Sequence, residues 1–286
     1  MINGTLGSTG VTVPAIALGG IVVSGMDRRH AGEIVSHALD TGATYWDAAP
    51  SYGDCEEVLG PFIEAHRKRI FLACKTTDRT AAGARRELDQ SLMRLRTDHL
   101  DLYQAHAVNT LEDVETFFSP TGALKTLVEA REQGKARFLG FSAHSEEAAL
   151  EMMKRFDFDT VLFPINWVCW LRNDFGRKVV EDARERGMGV LALKAMARQR
   201  WPESEPAMRE RYRKCWYQPE DRPEIARLAL RFTRAQGVSV CIPPGDPNVW
   251  ELAISFADDI DRPLTADEIT WLRQEASHLN PIFPQD

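Results

Sequence analysis

The sequence predicts one (β/α)8 barrel, an α/β fold, on three observations. Short apolar runs alternate with amphipathic stretches along nearly all of the 286 residues. Eight of those runs have strand length and are mostly apolar, as strands covered on both faces require. Each is followed by a helical pattern, directly or after a long loop, and an unbroken βα alternation of this length closes into a barrel. A doubly wound open sheet is the competing architecture.

The elements follow in order. Gly4, Gly7 and Gly10 punctuate an opening that reads as a small N-terminal hairpin, and residues 14–19 form the first buried strand. Ala31, Ile34, Val35, Ala38 and Leu39 then share one helical face, ended by Gly42. Further strands fall at 44–47, 70–74, 100–104, 136–141, 160–163, 189–193 and 238–242. Ala84, Leu88, Leu92 and Leu95 mark the helix after the third strand. Leu124, Leu127, Val128 and Arg131 mark the helix after the fourth, with Gly134 closing it. Helices are also expected at 146–155, 175–186 and 223–236.

Two segments stand outside the repeat. Residues 195–221 are long, charged and aromatic, with Trp201, Tyr212, Trp216 and Tyr217. They follow the seventh strand, on the face where barrel enzymes keep their active sites, and read as a lid or pocket wall. Thr265 to Glu268 form a capping box that opens an extra C-terminal helix. No stretch reads as a linker, so a single domain over 1–286 is expected.

The net charge of −7 gives no electrostatic case for nucleic acid or an acidic membrane as partner. Five scattered cysteines without a C-x-x-C pair suggest neither a zinc site nor a disulfide framework. The polar, glycine-rich start has no signal-peptide core, and no apolar run reaches membrane-spanning length. The expectation is a cytoplasmic protein with reduced thiols.

Reactive side chains of a barrel sit at the C-terminal ends of its strands. Asp47 ends the second strand in Tyr-Trp-Asp-Ala-Ala-Pro-Ser-Tyr-Gly, and Tyr52 lies in the loop beyond it. Lys75 ends the third strand and His106 the fourth. Taken singly, Asp47 reads equally as a loop cap, Tyr52 as a packed loop aromatic and His106 as a core histidine. Lys75 is harder to dismiss, because a lysine ending an apolar strand must reach water or pair with a carboxylate.

Residues 47–60 read D-x-A-P-x-Y-G-x-x-E-x-x-L-G. The run from Lys75 to His106 includes Ser-Leu-Met-Arg-Leu-Arg-Thr-Asp-His-Leu-Asp-Leu-Tyr at 91–103, and Gly-Lys-Ala-Arg-Phe-Leu-Gly-Phe-Ser follows at 134–142. With Arg231-Phe232 and Ile242-Pro243, these motifs resemble the aldo-keto reductase family, in order and over nearly the whole chain. The resemblance implies a tetrad of Asp47, Tyr52, Lys75 and His106. It also implies metal-free hydride transfer between a nicotinamide cofactor and the carbonyl carbon of a small organic substrate. Tyr52 would be the general acid in reduction and the base in oxidation. A nearby ammonium lowers a phenol's pKa, so Lys75 is expected to tune Tyr52, with Asp47 holding the lysine. His106 would orient the substrate oxygen.

The cofactor implied is NADP(H), with NAD(H) the alternative, and its contacts are expected at Gly19, Gly20, Asp47, Ser142, Asn166, Leu193, Lys194, Pro243 and Gly245. The sequence departs from the family pattern in several places. Ser142 is followed by Ala143 and His144 rather than by Asn, and Leu162 stands where Gln is common. Leu193-Lys194 replaces a stacking aromatic, and no cation occupies 242–250, where Asp246 would repel a phosphate. Gly245 before a helix still offers backbone amides to an anion, although an ordinary stiff turn explains it equally. Lys194 or Arg198 could supply a cation instead. Trp46, Trp167 and Trp170 read either as pocket walls or as core. A regulatory barrel with weak cofactor binding is the main functional alternative. A metal-dependent hydrolase or lyase would need more clustered His, Asp and Glu than the strand ends offer.

Overall fold

The computed structural model describes residues 1–284. Its strands are β1 (Asn3–Thr5), β2 (Thr12–Pro14), β3 (Leu18–Gly19), β4 (Tyr45–Asp47), β5 (Phe71–Thr76), β6 (Leu100–Ala105), β7 (Ala136–Ser142), β8 (Thr160–Pro164), β9 (Gly189–Leu193), β10 (Ala197–Gln199), β11 (Gln218–Pro219) and β12 (Val240–Ile242). Eight of them form one parallel sheet in the order β12-β9-β8-β7-β6-β5-β4-β3. Its two edges meet through a bridge between Ile16 and Cys241, where Ala17 donates to the Cys241 carbonyl (3.0 Å) and Cys241 to that of Ala15 (2.7 Å). The sheet is thereby a barrel, and the open-sheet alternative is excluded.

Period-two alternation sorts the strand side chains. Tyr45, Ala73, Leu102, Leu162, Leu191 and Val240 belong to an inner cluster that Leu6 and Val13 of the N-terminal hairpin join. Their neighbours along the strands, such as Trp46, Cys74, Tyr103, Phe141 and Phe163, belong to the larger cluster that includes the surrounding helices. The predicted first strand is split. Pro14 ends the antiparallel β1–β2 hairpin, Ile16 makes the closing bridge, and only Leu18 and Gly19 pair with β4.

Helix ends follow the sequence signals. Asp27 caps the helix Arg28–Thr41, and Gly42 ends it in the left-handed region at φ 82°. The capping box at Thr265 and Glu268 opens the C-terminal helix Ala266–Ser277. Another box, Thr110 with Asp113, starts the helix Leu111–Phe118, an element absent from the helices expected from sequence. Among the described residues no helix is long and apolar enough to cross a membrane.

Residues 195–221 are an ordered excursion. β10 and β11 pair antiparallel at its base, and the short helix Pro206–Arg211 lies between them. Trp201 Nε1 donates to the Cys215 carbonyl at 2.9 Å, and the Tyr212 hydroxyl donates to Asp221 Oδ2 at 2.7 Å. The chain beyond the last helix returns to this excursion and to the helix Trp167–Asn173: Arg200 donates to the carbonyls of Pro281 and Pro284, and Asn173 to that of Phe283.

Candidate active site

β4, β5 and β6 are sheet neighbours, so the residues at their C-terminal ends meet. Asp47 shares the inward parity of Tyr45, and Lys75 that of Ala73. Lys75 is 0% exposed, and its ammonium donates to Asp47 Oδ2 at 2.6 Å and to the Ala48 carbonyl at 3.1 Å. Beyond β4 the chain turns at once, with Tyr52 N–H donating to the Ala49 carbonyl. That turn brings the Tyr52 ring over the lysine, its centroid 4.7 Å from Nζ. His106 follows β6, its N–H donating to the Thr76 carbonyl at 2.8 Å, and its imidazole meets the Tyr52 ring edge-on at 5.5 Å. The four predicted residues are thus brought together.

Electrostatics sort these groups into roles. Burial alone would lower the Lys75 pKa, but the Asp47 carboxylate and Tyr52 raise it overall, so the lysine is a cation. Burial raises the Asp47 carboxyl while Lys75 holds it down. Tyr52 differs from expectation in its net direction. Burial pushes it up to about 12 with the help of Asp47, although Lys75 pulls the other way. The lysine tunes the phenol, but desolvation outweighs it, so Tyr52 holds its proton at neutral pH. Burial, then the Lys75 charge, pushes His106 down to about 3, so its ring is neutral.

Surrounding bonds fix these positions. Ser51 Oγ lies 3.2 Å from His106 Nδ1. Arg79, paired with Asp113 at 3.1 Å, donates to the carbonyls of His106 and Ala107. Ala107 adopts φ 52°, and its N–H donates to Ser142 Oγ at 2.7 Å. Gly20 permits a further close approach: a Cβ there would lie 2.9 Å from Cys55 Sγ and 3.0 Å from the Asp47 carbonyl.

A cavity of about 230 Å³ opens above the tetrad, with Asp47, Tyr52 and His106 in its wall. Of the expected cofactor contacts, Gly19, Ser142, Leu193, Lys194, Pro243 and Gly245 also line it. Gly20 does not; it supports Asp47 from behind. Asn166 does not either: its Oδ1 accepts from Cys169 N–H at 3.0 Å and caps the helix Trp167–Asn173. A strand end that feeds directly into a helix gives its asparagine to the cap. Arg198 points to Glu220, 3.9 Å away, rather than into the cavity. Trp46, Trp167 and Trp170 are core residues. The aromatic walls are instead Trp216 and Tyr217, from the end of the excursion. Lys214, Ile21 and His144 also line the cavity, and sequence reasoning gave them no role. No local pattern marks Lys214 and Ile21, which meet across nearly the whole chain, whereas His144 was visible as a departure after Ser142.

The residues fit a nicotinamide group better than they fit the rest of a dinucleotide. Among the described residues Asp47 Oδ1 is a buried acceptor without a partner, in a carboxylate that lines the cavity beside Tyr52. At the other end Asp246 Oδ1 accepts from the N–H groups of Asn248 and Val249, so the helix Pro247–Ser255 is capped by its own carboxylate. Ile21 lies over Gly245, where an added Cβ would be 2.7 Å from the Ile21 Cβ. Both features disfavour the anion contact expected there.

Among known proteins the chain is similar to the aldo-keto reductase YhdN of Bacillus subtilis, at 37% identity over 145 residues, covering 46% of this chain and 42% of that protein. It is also similar to the aldo-keto reductase yakc [NADP(+)] of Schizosaccharomyces pombe, at 34% over 151 residues, 46% of this chain and 43% of that one. The matched stretch is thus under half the length of each of these curated relatives. The solved aldo-keto reductase AKR11C1 from Bacillus halodurans, in its holo form, superposes with a TM-score of 0.75 at 23% identity, covering 99% of each chain, which shows the barrel fold. A sequence profile of the Aldo/keto reductase family matches residues 15–243, most of the chain. On that match, the chain belongs to the aldo/keto reductase family.

Proposed function

We propose that this single barrel domain is a nicotinamide-dependent oxidoreductase that interconverts a carbonyl and an alcohol on a small organic substrate, with Tyr52 as its general acid and base. The observation that carries the reading is the Lys75 ammonium, which is wholly buried, bound to Asp47 and close over the Tyr52 ring in the wall of a cavity. An unused buried ion pair at a cavity wall costs stability and is retained where it has work to do.

The chain's own residues supply the following. His106, neutral and edge-on to Tyr52, orients the substrate oxygen by a hydrogen bond. Tyr52, protonated at neutral pH, delivers its proton to that oxygen as charge develops, and Lys75 stabilises the phenolate that remains. Asp47 keeps the lysine charged and offers its free Oδ1 to a hydroxyl donor of the cofactor. Gly19, Ser142 and Leu193 bound the space for the nicotinamide, and Pro243 and Gly245 bound the path away from it. When bound, the nicotinamide supplies the hydride. NADP(H) is the cofactor we assign, as in the name of the fission yeast relative, with NAD(H) as the alternative.

The self-capped helix at Asp246 and the Ile21 cover on Gly245 favour a second reading, a family barrel that holds dinucleotide weakly. Titration with NADPH and with NADH, followed by quenching of tryptophan fluorescence, separates the two. Binding of either, with consumption of reduced cofactor in the presence of aldehydes, supports the enzyme. Binding of neither gives the second reading the lead.

A further inference from the structure

Lys194 follows β9 beside the tetrad and lines the cavity together with Lys214, whose ammonium is taken up by the carbonyls of Ile21 and Val22. Its surroundings differ sharply from those of Lys75. Among the described residues no carboxylate pairs with it, and its one hydrogen-bond partner is His144, whose Nε2 lies 3.1 Å from Nζ. Trp216 and Phe283 flank the ammonium, each ring centroid 5.7 Å away. Phe283 in turn stacks on His144 at 5.2 Å and 8°, so the acceptor ring is held in place by the returning C-terminal segment. An ammonium has three donors, and one of them is used here. The main-chain conformation is also unusual, with Lys194 at φ 62°, a region that a non-glycine residue seldom adopts. Strain of this kind persists where the surroundings fix a side chain in one direction, and here the direction is into the cavity.

We propose that Lys194 is the anion-recognition point of this cavity, and that the substrate is a carbonyl compound that also carries a carboxylate. The substrate part of this proposal rests on the reading of Tyr52 and His106 given above. Lys194, Tyr52 and His106 line one cavity of about 230 Å³, which the substrate would share with the nicotinamide, and Tyr217 is apolar wall beside the two polar poles. A carbonyl oxygen at Tyr52 and a carboxylate at Lys194 would then be read by the same cavity. The carboxylate would complete the charge that the structure leaves unpaired, in a wall where the aromatic rings limit water. Burial supports this directly: it pulls the Lys194 pKa down to about 7, and an anion would restore the cation.

The test uses 4-formylbenzoate and its methyl ester on the whole protein, as wild type, Lys194→Met and Lys194→Gln. Binding is read by tryptophan fluorescence, and turnover by consumption of NADPH. Wild type is expected to favour the acid over the ester at least tenfold in Kd and in kcat/KM. Both variants are expected to lose that preference through weaker binding of the acid, read as the ratio of acid to ester within each protein. An acid-to-ester ratio that is the same in all three proteins would overturn the proposal. A loss of NADPH affinity with the acid preference intact would overturn it too, assigning Lys194 to a cofactor phosphate. A preference in binding without any turnover would leave Lys194 as the anion point and refute the reaction. Melting temperatures of the variants within a few degrees of wild type exclude misfolding as the cause.

Discussion

The ammonium of Lys75 stands 4.7 Å from the centre of the Tyr52 ring, while its hydrogen bonds go to Asp47 and the Ala48 carbonyl. Burial pushes the phenol up to about 12 although the nearby ammonium pulls it down. A group in that state keeps its proton at neutral pH.

Tyr52→Phe removes the donor and keeps the ring that packs against Lys75 and His106. Carbonyl reduction is expected to fall by about 10²–10⁴, the usual range for losing a general acid. NADPH affinity and melting temperature are expected to stay close to wild type. Steady-state kinetics beside a cofactor titration make the check, and turnover retained within tenfold would remove Tyr52 from the mechanism.

Lys75→Met should cost stability as well as turnover. Asp47 would be left buried with no cation, and its Oδ1 already lacks a partner. Breaking a buried pair in this way costs about 3–5 kcal/mol. Adding Asp47→Asn to Lys75→Met removes the stranded charge, so the double variant is expected to regain much of the loss while remaining inactive. Urea denaturation of the two single variants and the double variant measures this, and additive losses would show that the two residues do not act as a pair.

The barrel was legible because its apolar runs repeat along the chain, whereas the grouping of Asp47, Tyr52, Lys75 and His106 came from the family resemblance. Apolar runs reported the strands, and the strand ends placed Asp47, Lys75 and His106. The first strand was read too long because Pro14, Ile16 and Leu18 are equally apolar yet serve the hairpin, the closing bridge and the sheet in turn. Asn166 was read as a cofactor contact because its position suits one, but the helix that starts at Trp167 claims its side chain. The three core tryptophans and the two cavity aromatics could not be separated by type. What separates them is the path of residues 195–221, which only tertiary contacts such as Lys214 to Val22 define.

Acid should destabilise the fold through its two cavity histidines. His106 and His144 are each pushed down from 6.5 to about 3, first by burial, then by neighbouring cations: Lys75 for His106, Lys194 for His144. Both stay neutral in the fold, while the unfolded chain takes up protons below about 6.5. The unfolded state thus binds more protons between pH 6.5 and 3, and stability falls as pH falls through that window. At pH 5 each histidine should account for on the order of 1–2 kcal/mol of the loss. Denaturation at pH 7.5 and pH 5 should show a smaller drop for His144→Gln than for wild type. Equal drops would mean that His144 titrates normally in the fold.

Lys214 ties the excursion to the opposite wall of the cavity. Its ammonium donates to the Val22 carbonyl at 2.8 Å and the Ile21 carbonyl at 3.3 Å, from the short helix that follows Gly19. Ile21 in turn covers Gly245, on the path assigned to the cofactor. Releasing this tie should free both the excursion and Ile21 without touching the tetrad. Two partly exposed bonds from a charged donor are together worth about 1–2 kcal/mol, so Lys214→Met is expected to speed NADPH release about tenfold. The rate of the chemical step in a single turnover should not change. Stopped-flow displacement of bound NADPH, beside a single-turnover measurement, separates the two rates. An unchanged release rate would mean that the tie plays no part in gating. A slowed chemical step would mean that Lys214 also shapes the reacting end of the cavity.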